Sequence, residues 1–151
     1  MLSRIFVDAD GCPVKHDICR VADRHGLHVT FVANAGMSVP RGDRIELIVV
    51  SAGFDAADNY IVSRVATNDI VITDDIPLAA RCLARNARVL STRGKRFSEE
   101  SIGEALATRE LMTELRAMGT VTGGPPAFAK RDRPTFLQRL DETIHAARKA
   151  T

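Results

Sequence analysis

The sequence predicts an α/β fold, a three-layer αβα sandwich around a mainly parallel five-stranded sheet. Short runs rich in β-branched residues recur without polar alternation, which is typical of strands buried on both faces of a sheet. Stretches with helical periodicity separate most of these runs, and strands that alternate with helices indicate parallel βαβ units. Aspartates follow three of the runs, directly or within a few residues, at the edge where open α/β sheets bind ligands.

Length and composition suit one compact domain with a substantial core, because 45% of the 151 residues are hydrophobic. We expect residues 1–95 to contain the core βα units with the acidic site, and residues 96–151 to contain C-terminal helices and a Gly/Pro-rich loop. The net charge of +2 is too small to indicate a polyanionic partner. No apolar signal region or long membrane span is apparent, so we expect a cytoplasmic protein.

The strands are expected in the order 3-2-1-4-5, which makes strands one and four neighbours at the topological switch point. The connection between strands two and three, residues 34–44, is barely long enough for a crossover and contains no convincing helix. The strands are predicted near residues 4–8, 28–33, 45–50, 70–73 and 87–90.

Five helical stretches accompany these strands. Gly26 is expected to end the first helix, and Pro77 occupies the favoured first turn of the third. Residues 119–134 are rich in Gly and Pro and predict a loop, which is either a functional lid or flexible. We expect the last helix to cover the sheet rather than to form a dimer surface. The helices are predicted over residues 14–25, 56–66, 76–86, 98–118 and 134–147.

The aspartates at the strand ends have two explanations. An Asp after a strand is a good N-cap for the next helix, and capping is the better explanation for Asp10, Asp55 or Asp75 taken alone. Capping does not, however, require the Asp8-x-Asp10 doublet. In the expected strand order, the side chains of four acids converge at the switch point. These acids are Asp8, Asp10, Asp58 and Asp75.

Converging carboxylates repel one another and raise each other's pKa, so such a cluster favours a bound cation. Mg²⁺ or Mn²⁺ is expected, because hard cations prefer oxygen ligands. One or two such ions would hold a phosphodiester, lower the pKa of a bound water and stabilise the leaving oxygen. The histidines do not fall at strand ends and are interpreted as surface or helix residues. They are His16, His25, His28 and His145.

Three segments in this order resemble the YaiI/YqxD family of uncharacterised bacterial proteins: DADGCPV at residues 8–14, GFDAADNYI at 53–61 and VITDDIPLA at 71–79. Arg93-Gly94 and the Gly-Gly-Pro of residues 123–125 match as well, so the resemblance covers nearly the whole chain. That family resembles a branch of the PIN-like nuclease superfamily, whose members use a strand-end acidic cluster with magnesium or manganese.

The resemblance implies that Asp8, Asp10, Asp58 and Asp75 are catalytic residues and metal ligands, and that Thr73 orients the Asp75 loop. Two further acids are supporting candidates: Asp55, as a helix cap or a residue behind the ligands, and Asp74. PIN domains often add an acidic or Asn position near the fifth strand, and residues 89–93 supply no acid. This difference favours one metal over two or implies weak catalysis, and Arg93 there is expected to hold a phosphate.

Basic side chains are candidates for contacts with a nucleic-acid backbone, and RNA is the expected partner. Solvated surfaces explain such clusters about equally well. Gly123 and Gly124 would let a nucleic-acid backbone approach closely. The candidate contacts are Lys15, Arg93, Lys95, Arg96, Lys130 and Arg131.

Three functions compete, and a metal-dependent ribonuclease or related phosphodiesterase leads. Asp8-Ala9-Asp10-Gly11 also resembles the first motif of haloacid-dehalogenase-type phosphatases, in which the first Asp is a nucleophile and the second a general acid. Against that family, Cys12 stands where Thr is usual, and no lysine motif is convincing. The third function is a non-catalytic module that binds nucleic acid or a protein partner. The few aromatic residues of the chain argue against a surface on which bases stack.

The three cysteines, Cys12, Cys19 and Cys82, show no CxxC or His-paired spacing. A disulfide framework or a structural zinc site is therefore not expected. Reduced and mostly buried thiols are the preferred interpretation. Cys12 lies beside the acidic site, so a reactive thiol there is a minor alternative.

Overall fold

A computed structural model describes residues 3–51, 53, 55–120, 122–123 and 127–150. The predicted close approach at Gly124 lies outside these residues. The elements follow in the order β1 (Ile5–Asp8), α1 (Lys15–His25), β2 (Val29–Ala33), β3 (Ile45–Val49), α2 (Ala56–Arg64), β4 (Ile70–Ile72), α3 (Ile76–Leu83), β5 (Arg88–Leu90), β6 (Arg96–Phe97), α4 (Glu99–Ala117) and α5 (Asp132–Ala150).

The strands form one sheet in the order β3-β2-β1-β4-β5-β6, and the first five are parallel. β1 is central, with Ile5 opposite Val29 of β2 on one side and Ile70 of β4 on the other. The predicted order of the first five strands is confirmed. Residues 34–44 contain no helix, as expected.

The predicted strand count of five is wrong, because β6 adds an antiparallel sixth strand beside β5. β6 has only two residues, too few for any periodicity to be visible in the sequence. The intervening turn is closed by Ser91, whose Oγ accepts hydrogen bonds from the Arg93 and Lys95 amides. Gly94 in this turn has φ +90°, and a Cβ there would meet the backbone of residues 135–136 at 3.1 Å. Glycine therefore allows α5 to pack directly on the turn.

Helices cover both faces of the sheet, which confirms the three-layer αβα architecture. On one face, Ile5 and Val7 belong to a core cluster with α1 and α5, which contributes Phe136 and Leu140. On the other face, Phe6 belongs to a cluster with α2 and α3, which contributes Leu78. These neighbouring residues of β1 point to opposite faces because side chains alternate along a strand. The expectation that the last helix covers the sheet is confirmed.

Of the two C-terminal helices, α4 spans nearly the predicted residues, whereas α5 extends beyond the predicted 134–147 at both ends. α4 begins with a reciprocal capping box, in which the Ser98 and Ser101 hydroxyls each accept from the other's backbone amide. α5 begins two residues before Pro134, after a turn in which the Asp132 carboxylate accepts from the Ala129 amide at 2.8 Å. Within the described residues, no helix has the length and apolarity needed to cross a membrane.

Candidate metal centre

A cavity of about 410 Å³ opens at the carboxyl edge of the sheet, where β1, β2 and β4 end. The structure brings the four predicted acids together in its wall. Asp8 is the last residue of β1, Asp58 lies in the first turn of α2, and Asp75 immediately precedes α3. The lining residues are Asp8, Asp10, Asn34, Gly53, Asp55, Ala57, Asp58 and Asp75.

Thr73 links two of these acids. Its hydroxyl donates to Asp8 Oδ2 at 2.9 Å and accepts from the Asp75 backbone amide at 3.0 Å. Thr73 is only 1% exposed, so both bonds are shielded from water. The side chain is therefore placed to orient the Asp75 loop, as predicted. It also holds Asp8, a contact that the sequence did not indicate.

Asp75 combines capping with a place in the cavity. Its Oδ1 accepts from the Leu78 amide at 2.9 Å, so Asp75 is the N-cap of α3. The helix-cap explanation is thus confirmed at this position, and the same residue lines the cavity, where its role as a metal ligand stays a prediction.

Asp10 does not cap a helix, because the N-cap position of α1 is Val14. Instead its Oδ2 accepts from the Asn34 amide at 3.0 Å. Sequence reasoning missed Asn34, although one signal was available: Asn34 is the first residue after β2, which neighbours β1 in the sheet. Asn34 also lines the cavity, and its side chain is of a type that can offer a neutral oxygen ligand.

Asp55 occupies the N-cap position of α2, but its side chain makes no capping hydrogen bond. The helix-cap alternative for this residue is therefore wrong. Its backbone is left-handed, with φ 63°, a conformation that Asp tolerates better than most residues. The side chain lines the cavity instead.

The acids of this cluster repel one another, and the basic side chains of the described residues form no ion pair with them. Burial is the main cause that raises the pKa of Asp8 to about 6, and the charges of Asp58, Asp75 and Asp10 contribute to this rise against the opposing Thr73 hydrogen bond. Burial and the charge of Asp75 also raise the pKa of Asp58, with Arg81 opposing. Among the described residues, no Lys, Arg or His nitrogen lies within 4.0 Å of a carboxylate oxygen of the four acids.

These residues fit a hard divalent cation. Several carboxylate oxygens face one cavity, and ionising them together is unfavourable without a counter-charge. Mg²⁺ and Mn²⁺ prefer such oxygen ligands over nitrogen or sulfur.

Asp74 stands beside the centre and has a different contact. Its two oxygens accept from the Thr92 amide at 2.9 Å and from the Thr92 hydroxyl at 2.6 Å. This clamp fastens the β4–α3 loop to the β5–β6 turn, and Asp74 does not line the cavity. It therefore supports the site by holding the loop.

The candidate nucleic-acid contacts lie outside the cavity wall. Lys15 opens α1, with Nζ 3.6 Å from Met37 Sδ, and Arg93 in the β5–β6 turn has Nε 3.9 Å from Asp132. The exposed Lys130 and Arg131 immediately precede α5. All four stand where elements begin or turn at the carboxyl edge.

The other two basic candidates have partners on the β6 side. Arg96 donates to Glu142 in the middle of α5, and Lys95 Nζ stands 5.6 Å from the centre of the Phe97 ring. Their contribution to substrate binding stays a prediction, with Arg96 requiring release from Glu142.

The cysteines are buried and free, as expected. Burial raises the pKa of Cys12 and Cys19 to about 11 and that of Cys82 to about 12. A thiolate is therefore disfavoured, and the alternative of a reactive Cys12 is not supported.

Sequence comparisons connect the chain to bacterial relatives. A profile of the family described as "Uncharacterized BCR, YaiI/YqxD family" matches residues 6–146. A UPF0178 protein of Rhodopseudomonas palustris strain BisB5 is 57% identical over 94% of this chain and 87% of its own length. A UPF0178 protein of Paramagnetospirillum magneticum is 51% identical over 98% of both chains. Neither name states an activity.

Proposed function

This chain belongs to the YaiI/YqxD family, and we propose that it is a metal-dependent nuclease that hydrolyses phosphodiesters in RNA. One observation carries the proposal: four aspartates from three strand-to-helix segments line one cavity, none of them paired with a basic side chain of the described residues, and the pKa of Asp8 is raised to about 6. An acidic cluster of this kind suits divalent-ion chemistry on phosphates, where no Ser or His nucleophile is needed.

In this proposal, Asp8, Asp10, Asp58 and Asp75 hold Mg²⁺ or Mn²⁺. When bound, the ion lowers the pKa of a water and stabilises the negative charge of the leaving oxygen. Thr73 positions two of the acids through its hydrogen bonds to Asp8 and to the Asp75 amide. Asn34 fixes Asp10 through its backbone.

The substrate class rests on the charges around the cavity. Four basic side chains stand at the same edge of the sheet as the acids, and we expect them to contact a phosphate chain while one phosphate reaches the metal. They are Lys15, Arg93, Lys130 and Arg131. The guanidinium of Arg93 is suited to grip a phosphate through two parallel hydrogen bonds.

The test is cleavage of labelled single-stranded RNA with Mn²⁺ or Mg²⁺ and with chelator, using wild-type, Asp8→Asn and Asp75→Asn proteins. Asn removes the charge but retains an oxygen that accepts from Thr73 at position 8 and caps α3 at position 75. We expect metal-dependent cutting by the wild type and a loss of at least about a hundredfold in each variant. Asp23→Asn is the matched control, because Asp23 is exposed and pairs with Arg44.

Cleavage retained in Asp8→Asn would exclude this mechanism. The same samples distinguish the two other functions. A covalent aspartyl-phosphate on Asp8 from small phosphate esters would indicate a haloacid-dehalogenase-like phosphatase. RNA binding that is equal with metal and with chelator, without cutting, would indicate a non-catalytic binding module.

A further inference from the structure

A second group of metal-binding side chains lies far from the acidic cavity. His25 is the last residue of α1, and Asp141 and His145 lie on α5. α1 begins at the carboxyl edge of the sheet, and its 11 residues span about 16 Å. The group therefore lies toward the opposite edge, and the nuclease proposal does not use it.

The three side chains meet through the Asp141 carboxylate. His25 Nε2 is 2.8 Å from Asp141 Oδ1, and His145 Nε2 is 3.4 Å from Asp141 Oδ2. The imidazole rings are perpendicular, with their centroids 5.3 Å apart. One ligand atom from each residue can be chosen so that all three lie within 4.8 Å of one another.

The backbone holds these residues in place. Asp141 and His145 are four residues apart on α5, so they share one face of the helix. His25 is fixed at the end of α1, because Gly26 then adopts φ 68° and Arg148 of α5 donates to the His25 carbonyl. The site is thus formed by the packing of α5 against α1.

We propose that His25, Asp141 and His145 form a second metal site, which binds a transition-metal ion of the zinc class. Two imidazoles and one carboxylate are ligands typical of Zn²⁺, Co²⁺ and Ni²⁺, whereas Mg²⁺ prefers oxygen alone. Ligand atoms around a tetrahedral ion at about 2.0–2.1 Å lie about 3.3 Å apart. The ligand atoms observed here lie within 4.8 Å of one another, so each separation is within about 1.5 Å of that spacing.

Exposure favours entry of an ion. The side chain of His25 is 12% exposed, that of Asp141 38% and that of His145 59%, so one anchored ligand faces two that can adjust. Positions beyond the three protein ligands are open to water. The expected effect of the ion is to tie α1 to α5.

A cation already stands near the group. Arg24 NH2 is 3.8 Å from Asp141 Oδ1, and the Arg24 side chain is 68% exposed. A metal ion would displace this guanidinium into solvent, at some cost in affinity. Replacing Arg24 by Gln should therefore strengthen metal binding, which a site built only for an ion pair does not predict.

The test is a calorimetric Zn²⁺ titration of the full chain carrying Asp8→Asn and Asp75→Asn, so that the acidic cavity does not contribute. We expect one equivalent of Zn²⁺ to bind, a loss of at least about tenfold in affinity when His145→Gln is added, and a gain with Arg24→Gln. His28→Gln is the matched control, because His28 is exposed and lies outside the group.

Co²⁺ provides a second readout, since a tetrahedral site with nitrogen ligands gives intense visible absorption. We expect the band in the parent protein and its loss in His145→Gln, with an unchanged circular dichroism spectrum. Zn²⁺ affinity that is equal in the parent and His145→Gln proteins would overturn the proposal. The parent protein lacks the acidic site, so failure here and failure of the nuclease proposal are independent.

Discussion

Asp8 and Asp69 lie at opposite edges of the same sheet, and their surroundings differ. Asp69 precedes β4 at the amino edge and is 4% exposed. It accepts from the Arg4 amide at 2.9 Å, and from the Arg4 guanidinium and the Ala66 amide at 2.8 Å each. Asp8 ends β1 at the carboxyl edge, accepts from the Thr73 hydroxyl and faces three other acids.

The partners of the two residues distinguish a carboxylate that stabilises the fold from one that is available to bind a ligand. At the amino edge, the protein itself supplies the donors and the cation that a buried carboxylate needs. At the carboxyl edge it supplies more carboxylates, so part of the compensating charge is left to a proton or to the ion that we propose binds there. Burial of an Asp is thus informative only together with its partners.

The largest expected effect is that of Asp69→Asn, which should lower the free energy of unfolding by about 2–4 kcal/mol. Asp69 Oδ2 accepts from two donors, and an amide nitrogen in its place would face both of them without a bond. Urea denaturation measures the change. An effect below about 0.5 kcal/mol would contradict the structural role.

The same substitution at the other edge should have the opposite sign. Asp8→Asn is expected to stabilise the metal-free fold at pH 8 by about 1–3 kcal/mol. Folding raises the pKa of Asp8 from 3.8 to about 6, so the folded state binds more protons and loses stability as pH rises between these values.

Urea denaturation in chelator at pH 8 and pH 4 measures this effect. At pH 4 the folded Asp8 is protonated, and the advantage of Asn should vanish. If Asp8→Asn destabilises the protein at pH 8, the acids at the carboxyl edge are compensated and the comparison fails.

Thr73→Val tests the only hydrogen bond that the described residues give to the Asp8 side chain. The substitution removes the hydroxyl that holds Asp8 and the Asp75 loop, so Mn²⁺ affinity should fall by about tenfold or more. Thr73→Ser keeps the hydroxyl and serves as the control. Calorimetric titration measures both, and equal affinities in the two variants would show that Thr73 does not position the site.

The smallest effect is expected from removing one of the two arginines that pair with Asp17, a buried acid in the first turn of α1. Arg20 lies 2.6 Å and Arg133 2.9 Å from its oxygens, and Arg133 is 51% exposed. Arg133→Gln should cost less than about 1 kcal/mol, because Arg20 remains and exposed ion pairs contribute little. Thermal unfolding measures it. A larger loss would show that Asp17 depends on Arg133 alone.

The convergence of the four acids on one cavity could be predicted from the sequence, because it follows from the sheet topology alone. Parallel strands end at one edge, and the order β3-β2-β1-β4 makes Asp8 and Asp75 neighbours. The hydrogen-bond partners of each acid could not be predicted from the sequence. The helix-cap role is real for Asp75 and absent for Asp55, yet both stand at the N-cap position after a strand.

Longer-range packing left even less signal. His25 and Asp141 are 116 residues apart and meet only because α5 packs on α1. β6 is a two-residue strand that depends on the Ser91 turn and on Gly94 beneath α5. Such features arise from the tertiary arrangement of elements rather than from periodicity within one element.

The most direct test of the central claim is a calorimetric Mn²⁺ titration of the wild type and of the Asp8→Asn/Asp75→Asn protein, with Asp23→Asn as control. We predict one or two equivalents bound by the wild type and by the control, and no binding heat in the double variant. Equal binding by the wild type and the double variant, or no binding by the wild type, would contradict a metal centre at the carboxyl edge.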